Sequence, residues 1–320
     1  MSLGNKSVMV SGGAGFIGSH LVDRLIRENP ERIVVVDNFF LGKTRNLDEA
    51  QKGFHGLKIY NEDVTNAKKI EEIIKNNNID VIFNPAVIPL PVSFEKPRWT
   101  YEQNVAIVMT LCELLRKGLY KTLIHFSSSE VYGTAKYVPM DEDHPFHPTT
   151  PYAASKVSCD MLATSYQKVF GIDISVVRPF NNFGPRQNEK SYSGVIPTTI
   201  KRILDNKPPI VHGDGKQTRD YIYVTDTAEG VLSVYKSKGR TGKIVNVANG
   251  KEVEIGMLIK KIAEIMDWDK EIKYDKPRPS DVRRHLADTS LLRKLTNFKP
   301  KVSFEEGLER TVQWYCERLK

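Results

Sequence analysis

The sequence predicts an α/β fold, a doubly wound parallel sheet joined to a smaller, mostly C-terminal region. Two patterns carry that prediction. Strand-like apolar runs alternate with helix-period segments from Lys6 to about Pro179, and a Gly-rich turn joins the first strand to the first helix. At 320 residues, 40% hydrophobic and 27% charged, the chain can bury a large core in one large or two closely joined domains.

Taken in order, Lys6 to Val10 is a short strand that runs into SGGAGFIGSHLVDRLIREN. The glycines fall at Gly12, Gly15 and Gly18, and Ile17, Leu21, Leu25 and Ile26 recur at helical spacing. Such a turn lets the backbone approach a pyrophosphate, which a helix N-terminus attracts. RIVVVDNFF is a buried parallel strand ending in Asp37, an acid placed to accept from both ribose hydroxyls of an adenosine and to repel a 2′-phosphate. Strand, turn, helix, strand and acid in that order form the context the motif requires, so NAD is expected over NADP.

LKIYNEDV reads as a third strand ending at Asp63 and Val64, AKKIEEIIKNN as a helix, and DVIFNPAV as a fourth strand. A helix from about Trp99 to Lys117 carries Asn104, and TLIHFSSSEVYG is a fifth strand. Asp37, Asp63, Ala86 and Ser128 then lie at carboxyl ends of parallel strands, where such sheets bind ligands. A helix from Tyr152 to about Phe170 precedes a strand in DISVVRPFNNFGPR. Beyond it, VIPTTIKRILDN and TAEGVLSVYKS read as helices, PPIVHGDGKQTRDYIYVTD as strand-like around a Gly turn, and IVNVANG as a strand returning to the main sheet. The remainder is mainly helical, with KPRPSD as a loop. Residues 1–178 with a returning segment at about 222–250 are expected to form the larger unit, and 179–221 with 251–320 the smaller.

Composition narrows the class. The net charge is +8, but Lys and Arg are dispersed among acids, as in KKIEEIIK, so no nucleic-acid partner is expected. No apolar run reaches the ~20 residues of a membrane span, and MSLGNKSVMVSGG lacks the apolar core of a signal peptide. Cys112, Cys159 and Cys316 make neither a disulfide framework nor a metal-ligand spacing. A cytoplasmic protein with reduced thiols, no metal and no membrane partner is expected.

The chemistry is concentrated between Ser127 and Lys156, where SSSEVYG is followed by a polar loop and PYAASK. Thr150 is placed as an N-cap and Pro151 in the first helical turn, and a spacing of four puts Tyr152 and Lys156 on one face. A tyrosine titrates near pH 10, too high for a base at neutral pH, and an adjacent ammonium favours the phenolate. Hydroxyls from the Ser-rich segment can join the same pocket. YxxxK alone is a weak signal on any long helix; its convergence with the strand ends makes it strong.

These residues together resemble a known family. SGGAGFIGSHLV, Asp37-Asn38, SSSEVYG, PYAASK, RPFNNFGPR, QTRDYIYVTD and RPSD look like the extended short-chain dehydrogenase/reductases that modify nucleotide sugars, over nearly the whole chain. The resemblance implies a Rossmann domain with tightly bound, recycled NAD, a smaller domain that holds a nucleoside-diphosphate sugar, and a homodimer packed through the helices near 99–117 and 152–170. Carried over, Ser128 hydrogen-bonds the sugar C4 hydroxyl, Tyr152 removes its proton, and Lys156 lowers the tyrosine pKa and holds the nicotinamide ribose. Gly12, Gly15, Gly18 and the backbone at Phe16 and Ile17 face the pyrophosphate. Asp37 and Asn38 face the adenosine ribose, Asp63 and Val64 the adenine, and Pro85, Ala86, Asn104 and Phe180 line the cofactor channel. Asn181, Arg219 and Arg278 grip the substrate diphosphate, unless the arginines only pair with Asp220 and Asp281. Ser129 borders the sugar, and the segment Gly194 to Pro197, with Val195, contributes to the base site. One departure is NPAV at Asn84 to Val87, where the family more often has His and small residues; another is Ser11 in place of Thr.

All branches of the family begin with a 4-keto sugar, so Glu130 discriminates among them. It sits where 4,6-dehydratases carry the glutamate that takes the C5 proton, but Ser129 stands where those enzymes usually place the aspartic acid for the leaving hydroxyl. Glu130 would then serve both roles. The segment also looks like amino-sugar 4,6-dehydratases with Ser-Glu. A 4,6-dehydratase is the expectation. The alternatives are a 4-epimerase, which needs only Ser128, Tyr152 and Lys156, a UDP-glucuronate decarboxylase, a 4-oxidase, or a non-catalytic NAD sensor.

Overall fold

The computed structural model of the chain describes residues 2–189, 193–278 and 281–319. Its first half alternates β1 (Ser7–Ser11), α1 (Phe16–Ile26), β2 (Arg32–Asp37), α2 (Asp48–Gly53), β3 (Leu57–Asn61), α3 (Ala67–Asn77), β4 (Ile79–Asn84), α4 (Val92–Glu95), α5 (Pro97–Arg116), β5 (Thr122–Phe126), α6 (Pro151–Phe170) and β6 (Asp173–Pro179). There follow β7 (Asn181–Phe183), α7 (Val195–Leu204), β8 (Ile210–His212), β9 (Thr218–Tyr223), α8 (Val224–Lys236), β10 (Ile244–Val247), β11 (Glu252–Glu254), α9 (Ile255–Ile265), β12 (Lys273–Asp275), α10 (Ser290–Thr296) and α11 (Phe304–Leu319).

Seven strands pair in parallel in the order β10-β6-β5-β4-β1-β2-β3, so IVNVANG does return to the main sheet. The strand order reverses beside β1, which opens a crevice at the carboxyl ends of β1 and β4. Alternate residues of the central strands feed opposite faces. Val8, Val10, Val35 and Phe83 pack with Leu21 and Leu25 of α1 and Val231 of α8; Met9, Val34, Ile82 and Leu123 pack with α3, α5 and α6. A third core of Ile196, Ile200, Leu258, Ile262, Leu308 and Val312 joins α7, α9 and α11 around β7 and β9. No helix among the described residues is long and apolar enough to cross a membrane.

The departure at Asn84 has a structural reason. Its amide lies between Ser11 Oγ at 2.6 Å and His125 Nδ1 at 3.1 Å, so three neighbouring strands share one buried hydrogen-bonded chain. Several expected boundaries shift. β3 stops at Asn61, short of Asp63 and Val64, because the Asp63 carboxylate instead accepts from Thr65 N at 2.8 Å and turns the chain. The fifth strand stops at Phe126, and a single 3₁₀ turn, Ser129–Tyr132, follows. The short strands β7, β11 and β12 were not anticipated; they pair as β11-β9-β7 and β12-β8. α10 falls inside the 251–320 segment expected in the smaller unit, yet its Leu292 and the following Phe298 belong to the core under α8 and β10.

Candidate active site

Two cavities meet at the carboxyl edge of the main sheet and share Phe16, Ile17, Pro85, Val87, Gln187 and Gly194 as walls. One, of about 310 Å³, follows the Gly-rich turn; the other, of about 470 Å³, opens between that edge and the smaller sheets.

The first cavity is shaped by backbone. Gly12 has φ of +69°, and a Cβ there would lie 2.8 Å from Ala86 Cα. A Cβ at Gly18 would lie 2.1 Å from Gly12 O, so the turn closes onto the start of α1 only with glycine at that position. Gly12, Gly15, Phe16, Ile17 and Gly18 border this cavity. Asp37, at the end of β2, accepts from Ala14 N at 3.0 Å and Phe39 N at 2.8 Å. Burial pushes its carboxyl up, and those backbone donors act in the opposite direction. Asn38 donates to Asp63 Oδ2 at 2.8 Å; burial works against the Asp63 charge, but the Thr65 and Asn38 hydrogen bonds leave its pKa below the usual range. Asp63, Val64, Pro85 and Ala86 complete the wall. The glycine cradle, the helix N-terminus and the acid at the strand end fit an adenine dinucleotide with a free 2′-hydroxyl.

Asn104 does not line either cavity. It is buried on α5, where its Oδ1 accepts from Ile88 N at 2.8 Å and its Nδ2 donates to Ile88 O at 3.1 Å and Ser155 Oγ at 2.9 Å. Its amide is spent on tying the loop after β4 to α6, so its contact with the cavity is indirect.

The second cavity gathers Ser128, Ser129, Glu130, Tyr152, Lys156, Phe180, Asn181, Val195, Arg219 and Arg278. α6 starts as the sequence predicts: Thr150 Oγ1 accepts from Ala153 N at 3.1 Å, Pro151 opens the helix, and Tyr152 and Lys156 face the cavity one turn apart. Ser128 is the N-cap of the 3₁₀ turn and its hydroxyl hydrogen-bonds Tyr152. Burial drives the Tyr152 phenol above its ordinary pKa, and the Ser128 hydrogen bond opposes this. The Lys156 ammonium, itself lowered by burial, lies on Phe126 O at 2.5 Å.

Glu130 is half-buried in the cavity wall. Burial raises its pKa, the nearby Arg219 lowers it, and Asp281 raises it. Arg219 is bound to Asp281 Oδ1 at 2.6 Å, Val282 O at 2.5 Å and Thr218 O at 2.9 Å. Its other suggested partner, Asp220, is turned away and accepts from Asn249, Gly250 and Ala287 N–H groups. Arg278 is exposed on the rim, and Pro279 and Ser280 of the RPSD motif lie outside the described residues. The Asn181 Nδ2 is buried without a hydrogen-bond partner in the structure. No group of three metal-binding side chains occurs among the described residues.

Sequence reasoning missed the apolar wall of Val87, Pro89, Leu90, Pro91 and Phe94, because neither the irregular segment after β4 nor the four-residue α4 is long or regular enough to show a period. It missed Gly42, where a Cβ would sit 2.6 Å from Asp37 Oδ1. It also missed the bracing of the loop after β7, where Glu189 pairs with Lys43 at 2.5 Å and Arg45 at 3.1 Å, and Arg186 pairs with Asp23 at 2.7 Å.

Comparison with known proteins agrees with this geometry. Residues 9–311 match the family model for GDP-mannose 4,6 dehydratase. The chain is 34% identical to a putative UDP-glucose 4-epimerase of Methanocaldococcus jannaschii, over 96% of this chain and 97% of that protein. Among solved structures, a UDP-N-acetylglucosamine 4-epimerase from Methanobrevibacter ruminantium, in complex with UDP-N-acetylmuramic acid, is 37% identical with a TM-score of 0.90, covering 98% and 99% of the two chains. DesIV, a dTDP-glucose 4,6-dehydratase from Streptomyces venezuelae with NAD bound, is 28% identical with a TM-score of 0.92, covering 97% of each chain.

Proposed function

We propose that this chain, which belongs to the GDP-mannose 4,6-dehydratase family of NAD-dependent nucleotide-sugar epimerases and dehydratases, is an NDP-hexose 4,6-dehydratase working through a 4-keto intermediate. The observation that carries the reading is Glu130, a half-buried carboxyl in the substrate cavity whose pKa is raised by burial.

NAD supplies an acceptor for the C4 hydride and a donor that returns it at C6. Tyr152, hydrogen-bonded to Ser128, takes the proton of the C4 hydroxyl. The resulting ketone acidifies C5, and Glu130 removes that proton. The same carboxyl gives its proton to the C6 hydroxyl, which leaves as water and forms the C5–C6 double bond. A raised pKa suits a group that must act as base and then as acid near neutrality. The buried Ser129 is too weak an acid to share that work. Solvent supplies the proton that C5 regains, and Tyr152 releases its own. Asn181, Arg219 and Arg278 are assigned to the substrate diphosphate, the first through its unpartnered Nδ2.

A 4-epimerase is the second reading, favoured by the 37% and 34% identities to proteins of that name and by the absence of an acid at Ser129. We also place a homodimer interface on α5 and α6, which pack together and expose Tyr101, Met109 and Met161. Incubation of UDP-, dTDP- and GDP-hexoses with the enzyme in heavy water tests the main reading. Loss of water with deuterium at C5 supports it; a C4 epimer of unchanged mass selects the epimerase.

A further inference from the structure

We propose that Arg178 is the positioning residue of this site: one buried guanidinium fixes the turn carrying Ser128 and Glu130 against the helix carrying Tyr152 and Lys156. Arg178 lies near the end of β6 and its side chain has no exposure. Its Nε donates to Asp160 Oδ2 at 2.9 Å, and Asp160 is on α6, one turn beyond Lys156. Its Nη1 donates to the Tyr132 hydroxyl at 2.7 Å, and Tyr132 closes the 3₁₀ turn that begins at Ser129. The same Nη1 reaches Glu142 O at 3.2 Å, in the loop between these two segments.

The plane of the guanidinium is held as well as its charge. The Tyr132 and Phe146 rings each lie 4.9 Å from it, and the Tyr132 hydroxyl passes the chain on to Asn246 Oδ1 at 2.8 Å on β10. Beyond Arg178, β6 runs directly into Phe180 and Asn181, both walls of the substrate cavity. One side chain therefore stands behind three wall segments while touching none of the reacting groups. A lysine cannot do this, since its single ammonium lacks the fork that serves Asp160 and Tyr132 together. Because a misplacement of about 1 Å can cost about 100-fold in rate, this brace is where the Ser128–Tyr152 alignment is set.

The inference needs only the C4 oxidation, which the dehydratase and epimerase readings share. The test compares wild type with Tyr132→Phe, Arg178→Lys and the uncharged pair Arg178→Met with Asp160→Leu. UDP-glucose, UDP-N-acetylglucosamine, dTDP-glucose and GDP-mannose are the probes, read by reduction of bound NAD and by steady-state kinetics. Tyr132→Phe, the mildest change, is expected to keep its fold and its NAD and to lose about tenfold or more in kcat with KM within about twofold. Arg178→Lys should lose at least as much, and the uncharged pair should fold without recovering kcat. Crystal structures of Tyr132→Phe and the wild type should show a longer Ser128 Oγ to Tyr152 Oη separation in the variant. Folded variants with wild-type kcat, or an unchanged separation, overturn the proposal. Should none of the four sugars reduce NAD in the wild type, the functional reading fails, and the two crystal structures still decide the role of Arg178.

Discussion

Replacing Gly18 by alanine sets helix propensity against packing, and the structure says which wins. Within α1, alanine is favoured over glycine by about 1 kcal/mol. A Cβ at Gly18, however, would stand 2.1 Å from Gly12 O and 2.9 Å from Gly13 Cα, inside the 3.0 Å that real contacts respect. Both obstacles are backbone, so neither can swing aside; the turn must open by about 1 Å. Overpacking of this kind costs about 3 kcal/mol, which leaves a net loss of about 2 kcal/mol after the propensity gain. That corresponds to a fall in Tm of about 4 °C, with loss of bound NAD because the displaced turn is the wall of its cavity. Gly53→Ala is the control: nothing lies within 4 Å of its Cβ, so the same chemical change should be neutral or raise Tm slightly. Thermal melts with quantitation of NAD after gel filtration give the answer. A Gly18→Ala protein as stable and as NAD-replete as Gly53→Ala would refute the reasoning.

Other outcomes follow from the same geometry. Asp37→Asn should weaken NAD binding and narrow the preference over NADP, measured as the ratio of the two affinities; Gly42→Ala should imitate the first effect by crowding the carboxylate. Glu189→Gln removes the negative charge shared by Lys43 and Arg45 and should speed exchange of bound NAD several-fold, seen by isotope-labelled NAD uptake. Glu130 has a folded pKa above its ordinary 4.5, so its contribution to stability is full below that value and is lost as pH rises through the raised one. Glu130→Gln should therefore raise Tm at neutral pH while leaving it little changed in acid.

Much of the fold was legible because it rests on repeated local patterns. The glycines at 12, 15 and 18, the apolar period of α1 and the acid at Asp37 each answer to one physical demand, and all appear where expected. The cap at Thr150 with Pro151 placed α6 to within a residue. What sequence did not disclose depends on distant partners. The Asn104 amide is drawn to Ile88 and Ser155, and Lys156 to the Phe126 carbonyl, by packing that no spacing encodes. Arg178 looks in sequence like any strand-end arginine; only its burial between Asp160 and Tyr132 reveals the brace. β7, β11 and β12 are three-residue strands, too short to show a period.

The measurement that bears most directly on the central claim is the fate of the C5 proton in wild type and Glu130→Gln. Mass spectrometry and NMR of sugar nucleotides turned over in heavy water should show a 4-keto-6-deoxy product with deuterium at C5 for the wild type. Glu130→Gln should still reduce bound NAD through Ser128 and Tyr152 but release no water. A wild-type product of unchanged mass, epimerised at C4 and free of deuterium at C5, would contradict the account and leave Glu130 a structural acid beside Arg219.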